Sequence, residues 1–260
     1  MPDPLDPKEP SDPLVLIPVT AEDVSRRKRK IVSICCAAAL AILFGAYWIY
    51  QRSTAPVQAR ESFDAGERLL KVARYSEAIL SFDRAIDLQP GFAGAYLDRG
   101  RAHMGNYEQD EAVADFTKAI QLRPHNAQAL LDRGEAYLFL KNFSAAAADA
   151  SAAIAANPNL AEAYNLRATA VRDTGDPQKA VADFDRAVQL APNADNYYQR
   201  GATYQELGEH KLAIADFTQT IAFETDLAQA YFARAESERA IGNLAAAKKD
   251  HEQARILDGR

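Results

Sequence analysis

The chain has 260 residues, a formal net charge of −6 and 48% hydrophobic residues. This length allows one sizeable folded region with additional segments, and the acidic balance excludes a phosphate backbone as a favoured partner, so we expect no nucleic-acid binding. The two cysteines, Cys35 and Cys36, are adjacent. The rest of the chain therefore has neither a disulfide nor a cysteine-ligated metal site.

The first thirty residues are predicted to be a disordered tail. They carry six of the twelve prolines and six acidic residues, and they offer too little apolar surface to offset the entropy lost on ordering. The apolar run at residues 14–17 is either a short hydrophobic interruption of this tail or a linear motif that binds a partner. The tail ends in five consecutive basic residues, 26–30.

Residues 31–50 contain no charged residue. A helix of this length spans about 30 Å, the thickness of the hydrocarbon core of a bilayer. Tyr47, Trp48 and Tyr50 stand at its far end, as aromatic side chains do at membrane interfaces. We therefore predict one transmembrane helix. The basic run before it predicts that the N-terminus lies in the cytoplasm and that the repeats lie outside it, with the periplasm of a bacterium as the preferred location.

Three other interpretations of this region stay open. The apolar stretch is also compatible with a signal peptide cleaved near Ala59, although it is longer than such segments usually are. The basic run alone also resembles a nuclear-import or nucleic-acid-binding patch. Small residues spaced by four along the predicted span suggest a weak homodimer through close helix packing, and they are Ser33, Ala37, Ala41 and Gly45.

A repeat begins after a predicted linker at residues 51–58. Four prolines recur at intervals of 34 residues: Pro90, Pro124, Pro158 and Pro192. Aligning the sequence on them defines six copies, at residues 59–92, 93–126, 127–160, 161–193, 194–227 and 228–260. A constant period of this kind indicates one supersecondary unit stacked on copies of itself, which is a solenoid.

Within each copy, counted from its first residue, recurring positions lie on the faces of two helices. Position 8 is Gly or Ala, position 20 is Ala, and position 24 is Phe in four copies. The spacings 4–8 and 20–24–27 each place side chains on one helix face, so the predicted unit is helix, turn, helix in an all-α fold. Small residues at positions 8 and 20 would let the helices approach closely, and aromatic residues would fill the adjoining space.

This pattern resembles the tetratricopeptide repeat, or TPR, over about 200 residues. The resemblance implies a right-handed superhelix whose concave groove binds a protein or peptide through positions 2, 5, 9 and 12 of each first helix. In this chain, the apolar residues at those positions are Phe63, Leu70, Leu97, Met104, Leu131 and Leu138, with Tyr198 and Phe232 in the fifth and sixth copies. Some of these residues could instead belong to the core. Some members of the family bind the terminal carboxylate of a peptide through basic residues in the groove. The resemblance argues against such a site here, because acidic residues stand at the corresponding positions.

Three departures from the pattern carry expectations of their own. Tyr107 stands two residues before its counterparts Tyr75 and Phe143, which predicts an irregular turn in the second copy. The third copy is rich in alanine, which predicts a thin and loosely packed second helix. The last helix carries a polar face, including His251 in place of the aromatic residue, which would cap the end of the array.

The sequence predicts no enzyme, no cofactor and no metal site. The four histidines fall at four different repeat positions, and no phosphate-binding loop or nucleophile motif is present. The predicted function is a membrane-tethered, non-enzymatic scaffold for proteins or peptides, in bacterial envelope assembly or the organisation of a complex. The alternatives are a receptor on an organelle outer membrane with cytosolic repeats, and a transmembrane sensor that signals through its N-terminal tail.

Overall fold

The structure, a computed structural model, describes the backbone of residues 21–259 and, between residues 23 and 52, only part of the side chains. This part of the chain contains twelve α-helices. The chain divides into two compact units, residues 1–55 and residues 56–260. The first unit is helical wherever it is described, and the second consists of helices joined by short turns.

Helix α1, Ala21–Lys71, begins inside the segment that was predicted to be disordered and also includes the predicted linker. Its first turns are stabilised locally. The Ser25 hydroxyl donates to the Glu22 carbonyl at 2.9 Å, and the Arg29 guanidinium donates to Ser25 Oγ at 3.3 Å. The acidic Glu22 near the N-terminus also favours the helix through its dipole. The prediction of disorder was therefore wrong for residues 21–30, while residues 1–20, including the apolar run at 14–17, lie outside the described residues.

The predicted transmembrane helix at residues 31–50 is contradicted. Among the residues that the structure describes, no helix is both long enough and apolar enough to cross a bilayer. The apolar stretch lies within α1, whose 51 residues also include the basic run before it and the charged first copy of the repeat after it. The single-pass topology, with repeats facing the periplasm, is withdrawn with it, and so is the homodimer through Ser33, Ala37, Ala41 and Gly45, which required a membrane-embedded helix.

The six copies each contribute a pair of helices. The first helix of copy one is the end of α1, from residue 59 onward, and the remaining helices alternate between first and second helices of each copy. Their bounds are α2 Tyr75–Leu88, α3 Ala93–Gly105, α4 Gln109–Leu122, α5 Ala127–Phe139, α6 Phe143–Ala156, α7 Ala161–Asp173, α8 Pro177–Leu190, α9 Ala194–Glu206, α10 His210–Phe223, α11 Ala228–Ala240 and α12 Leu244–Leu257.

The turn within each copy has the same backbone conformation in all six. Position 15 adopts a positive φ throughout, at Ala73, Tyr107, Lys141, Gly175, Gly208 and Gly242. A left-handed residue at this place ends the first helix as a C-terminal capping residue does. The irregular turn expected in copy two is therefore not found, because Tyr107 simply occupies the left-handed position with its side chain 85% exposed.

The core lies between the two helices of each copy and between neighbouring copies. Phe82, Phe116, Phe184 and Phe217, all at position 24, are completely buried. A Cβ added at Gly66 would meet the Phe82 ring at 2.5 Å, and one at Gly100 would meet the Phe116 ring at 2.6 Å. The small residue at position 8 is therefore required by the close approach of the aromatic ring at position 24.

Copy three packs differently. Its position 24 is Ala150, and the space beside Gly134 is occupied by Leu166 of the next copy, whose Cδ2 lies 2.6 Å from where a Cβ on Gly134 would stand. Leu166 is 4% exposed and clusters with Leu130, Leu131 and Ala150. The next copy therefore supplies the bulk that copy three lacks, and the loose packing predicted from its alanine content does not occur.

An arginine clamp recurs in copies two to six. The guanidinium at position 7 donates two hydrogen bonds to the aspartate at position 23 of the same copy, in the pairs Arg99–Asp115, Arg133–Asp149, Arg167–Asp183, Arg200–Asp216 and Arg234–Asp250. A third hydrogen bond reaches position 25 of the preceding copy, at Asp83, Thr117, Ser151, Asp185 and Thr218. Each arginine thus joins its own two helices and binds the copy before it.

Candidate functional site: the groove face of the first helices

Positions 2, 5, 9 and 12 of the first helices form one surface, which we call the groove face. Neighbouring first helices from α3 to α11 contact each other directly. Side chains also bridge them: Arg101 on α3 binds Asp132 on α5 at 2.6 Å, and Gln205 on α9 donates to Ser237 on α11 at 3.1 Å. These contacts align the first helices side by side, so residues from successive copies can meet one extended ligand.

The eight residues predicted to bind a ligand differ in exposure. Phe63 is 6% and Leu131 is 3% exposed, and both belong to core clusters, so they offer almost no surface to a partner. Phe232, at 49%, is exposed. The other five are half-buried at the edges of the core and present part of each side chain outward: Leu70, Leu97, Met104, Leu138 and Tyr198.

The polar part of the groove face begins between α3 and α5. The Arg101 guanidinium binds Asp98 at 2.9 Å as well as Asp132, and the Gln128 amide donates to Asp132 at 2.7 Å. Burial, with the negative charges of Glu67 and Asp132, raises the pKa of Asp98 although Arg101 opposes the shift. Burial alone would lower the pKa of Arg101, but Asp132 and Asp98 raise it. Arg101 therefore stays charged and fully engaged with these two carboxylates.

A cleft follows on the groove face between α5, α7 and α9. Its apolar wall is formed by Leu138 and Leu166, and its polar lining consists of Glu135, Glu162, Asn165, Thr169, Asn193, Asp195 and Asn196. The Asn165 amide donates to Asn196 at 2.7 Å and to Asp195 at 3.3 Å, which ties α7 to α9.

Two carboxylates of this cleft have no partner. Among the described residues, neither Glu135 nor Glu162 accepts a hydrogen bond or forms an ion pair within 4.0 Å. The Glu135 side chain is exposed at the mouth of the cleft. Partial desolvation there, together with the negative charges of Asp132 and Glu162, raises the pKa of Glu135 to about 7, against the opposing effect of Arg101. The cleft therefore concentrates negative charge that the fold itself does not neutralise.

At the C-terminal end, the groove face continues onto Phe232. Its ring meets the His251 imidazole edge to face, with centroids 4.8 Å apart, and His251 Nε2 lies 3.2 Å from a Glu236 carboxylate oxygen. An apolar hollow lies beside Phe232, lined by Ala228, Gln229, Ala254, Arg255 and Asp258. Among residues 21–259, no group of three or more His, Cys, Asp or Glu side chains is arranged to hold a metal ion.

Sequence reasoning missed both the cleft and the arginine clamp. The clamp had a signal, because Arg at position 7 and Asp at position 23 recur in five copies with the period of the repeat. By helical geometry, position 7 lies opposite positions 2, 5, 9 and 12, at about 100° per residue, so the clamp belongs to the architecture and leaves the groove face free. The cleft had a partial signal, because Glu135, Asn165 and Asp195 stand at positions 9, 5 and 2, which the resemblance assigns to the groove. Nothing within one copy shows that these three side chains meet in one cleft.

Comparison with known families gives a direct result. A tetratricopeptide repeat profile matches three overlapping segments, residues 63–127, 97–159 and 131–195. A second tetratricopeptide repeat profile matches residues 194–222. Together these matches run continuously through the first five copies. A comparison with curated protein sequences gave no match.

Solved structures of other repeat proteins resemble the chain. A crystal structure of MamA is 25% identical, with a TM-score of 0.57, and the match covers 62% of this chain and 94% of MamA. YrrB, described as a TPR protein with an unusual peptide-binding site, is 20% identical, with a TM-score of 0.55 and coverage of 68% and 91%. PilF of Pseudomonas aeruginosa is 15% identical, with a TM-score of 0.69 and coverage of 79% and 93%. With the profile matches over more than half of its length, the chain belongs to the tetratricopeptide repeat family.

Proposed function

We propose that this protein is a non-enzymatic scaffold that binds an extended segment of a partner protein along the groove face. The tetratricopeptide repeat solenoid is a protein-binding scaffold fold. The observation that carries the proposal is the state of Leu97, Met104 and Leu138, which are apolar and half-buried in neighbouring copies. Apolar side chains that remain partly exposed in a row offer surface for burial against a partner.

The proposed binding surface uses the residues that the fold leaves available. Phe63 and Leu131 are buried in the core, so they would support the groove face without contacting the ligand. Leu70, Leu97, Met104 and Leu138 would contact apolar side chains of the bound segment, and Tyr198 would extend the contact into copy five. The polar residues between them would fix the register of the segment, as a few placed polar groups do in ligand sites.

A pair of substitutions tests this proposal. Leu97→Asp combined with Met104→Asp would place carboxylates against the apolar side chains of the ligand, which is costly when they have no partner. The full chain is used to select binders from a displayed library of random dodecapeptides, and the selected peptides are titrated against wild type and variant. We expect binding to fall by about a hundredfold, at roughly 1.4 kcal/mol for each factor of ten.

The matched control is Leu80→Asp combined with Leu212→Asp. These leucines are 69% and 48% exposed and lie on the second helices α2 and α10, away from the groove face. We expect this variant to bind the selected peptides as wild type does. Circular dichroism is recorded for both variants. The proposal is wrong if no peptide is selected, or if the two variants bind equally while both stay folded.

A further inference from the structure

The cleft between α5, α7 and α9 combines an apolar wall with three carboxylates, of which Glu135 and Glu162 are unpaired and Asp195 accepts hydrogen bonds from the neutral amides of Asn165 and Gln199. Leu138 and Leu166 form the wall, while Glu135, Glu162 and Asp195 approach from three successive first helices. The nearest positive charge on the N-terminal side, Arg101, is engaged by Asp98 and Asp132. The lining of the cleft therefore contains carboxylates with which a cationic ligand could pair, and its described residues include no lysine or arginine side chain.

The shape and charge of this cleft match one class of side chain. Lysine and arginine have a long aliphatic stem and a charged end, and they bury the stem against apolar surface while keeping the charge among polar groups. Leu138, which is half-buried, would contact the stem, while Leu166 is buried and supports that wall from the core. The carboxylates would accept hydrogen bonds from the ammonium or guanidinium group. Hydrogen bonds between ionised groups are shorter and stronger than those between neutral groups.

We propose that this cleft receives a lysine or arginine side chain of the segment bound on the groove face, and that it thereby selects partners with a basic residue flanked by apolar ones. This inference rests on the proposed function. An acidic side chain at the same place would be repelled by Glu135, Glu162 and Asp195, so the cleft also discriminates against acidic segments.

The cleft also makes binding depend on pH. Glu135 is faced by Arg101 from α3, by Asp132 on its own helix, by Glu162 from α7 and by Asp195 from α9. Desolvation and the negative charges of Asp132 and Glu162 outweigh Arg101 and raise the pKa of Glu135 to about 7, so Glu135 takes up a proton as the solution becomes mildly acidic. A cationic side chain then loses one of its acceptors, so a basic peptide should bind more weakly at about pH 6 than at about pH 8.

The decisive experiment uses dodecapeptides selected on the full wild-type chain. We expect them to be enriched in lysine or arginine. For one such peptide, replacing that residue by methionine, which keeps much of the stem, should weaken binding by about tenfold. The protein variant Glu135→Gln with Glu162→Gln should weaken the basic peptide similarly, bind the methionine peptide as wild type does, and lose the dependence on pH.

The matched control is Asp110→Asn with Glu111→Gln, which removes two exposed carboxylates from α4 and should change neither peptide's affinity. The inference is overturned if the selected peptides show no preference for basic residues, or if Glu135→Gln with Glu162→Gln binds the basic peptide as tightly as wild type does. In that case, peptides that still depend on Leu97 and Met104 would leave the proposed function standing. Failure to select any peptide would instead overturn the proposed function itself.

Discussion

Single residues link neighbouring copies of the solenoid through the arginine clamp. Arg133 shows its parts: two hydrogen bonds to Asp149 at 2.7 and 2.8 Å, one to Thr117 at 3.0 Å, and a guanidinium carbon 5.9 Å from the centroid of the Tyr137 ring. Hydrogen bonding to Asp149 raises the pKa of Arg133. A planar guanidinium makes these contacts together, which a lysine ammonium cannot do.

Removing one clamp should therefore be costly. The side chains of Arg133 and Asp149 are 18% and 10% exposed, and breaking such a pair leaves a largely buried carboxylate without its cation. We expect Arg133→Ala to lower the free energy of unfolding by about 2–4 kcal/mol and Arg133→Lys by less. Urea denaturation measures both. Arg84, exposed on α2, supplies the control, since Arg84→Ala should change stability by no more than about 0.5 kcal/mol. Equal effects at the two sites would show that the clamp contributes nothing.

Glu135 should affect stability with a definite sign. Its pKa is raised in the folded protein to about 7 from 4.5, so the folded state holds the proton more tightly than the unfolded state. The contribution of Glu135 to stability is therefore greatest below about pH 4.5 and is lost as the pH rises through 7. We expect Glu135→Gln to gain stability relative to wild type between pH 5 and about pH 8, as measured by urea midpoints. Glu111→Gln is the control, and a difference that stays constant with pH would contradict this account.

At the scale of the element, copy three shows how one helix pair compensates for another. In copies one, two and five, the glycine at position 8 faces a phenylalanine of its own copy, whereas Gly134 faces Leu166 of copy four. Three of the other five copies have aspartate where Leu166 stands, at Asp64, Asp98 and Asp132. Copy four thus has leucine at a position where three copies have aspartate, and the preceding copy has Ala150 at the position where four copies have phenylalanine.

Substitutions at Leu166 and Ala150 test whether the leucine of copy four compensates for the phenylalanine that copy three lacks. Leu166→Ala should cost about 2–5 kcal/mol by leaving a cavity, and Ala150→Phe about 1–3 kcal/mol by overpacking against Leu166. Combining them should restore the arrangement of the other copies, so the double variant should be more stable than the sum of the single effects by about 1 kcal/mol or more. Additive effects in thermal and urea denaturation would show that the two residues do not share one space.

The helix pairs and their register were predictable from sequence, whereas their mutual adjustments were not. Periodic proline, glycine and alanine determine where each helix packs, because these residues act through steric contacts within one copy. Tyr107 and the alanines of copy three were misread for one reason. Each prediction considered only the residues of one copy. The turn at Tyr107 is regular because that position has a left-handed backbone in every copy, and copy three is well packed because Leu166 of the next copy fills its space. The cleft at Glu135 likewise requires three copies to be placed side by side.

At the scale of the whole molecule, the repeats are supported by the family profiles, and no helix among the described residues supports a membrane anchor. The family profiles match within residues 63–222, and every residue proposed for binding belongs to the second compact unit, residues 56–260. The apolar stretch at residues 31–50 was interpreted from its length and lack of charge alone. Among the described residues, no helix meets the requirement for crossing a bilayer.

The NMR signal of the Met104 methyl group tests most directly the claim that the groove face binds the ligand. The chain contains only two methionines, Met1 and Met104, so methyl-labelled methionine gives a spectrum in which Met104 reports on the groove face. The full chain is titrated with a peptide selected from the dodecapeptide library, with Leu97→Asp protein as the reference. We predict that the Met104 methyl resonance shifts in proportion to peptide bound and that Leu97→Asp abolishes the shift. If the peptide binds tightly while the Met104 resonance stays in place, the groove face is not the binding surface.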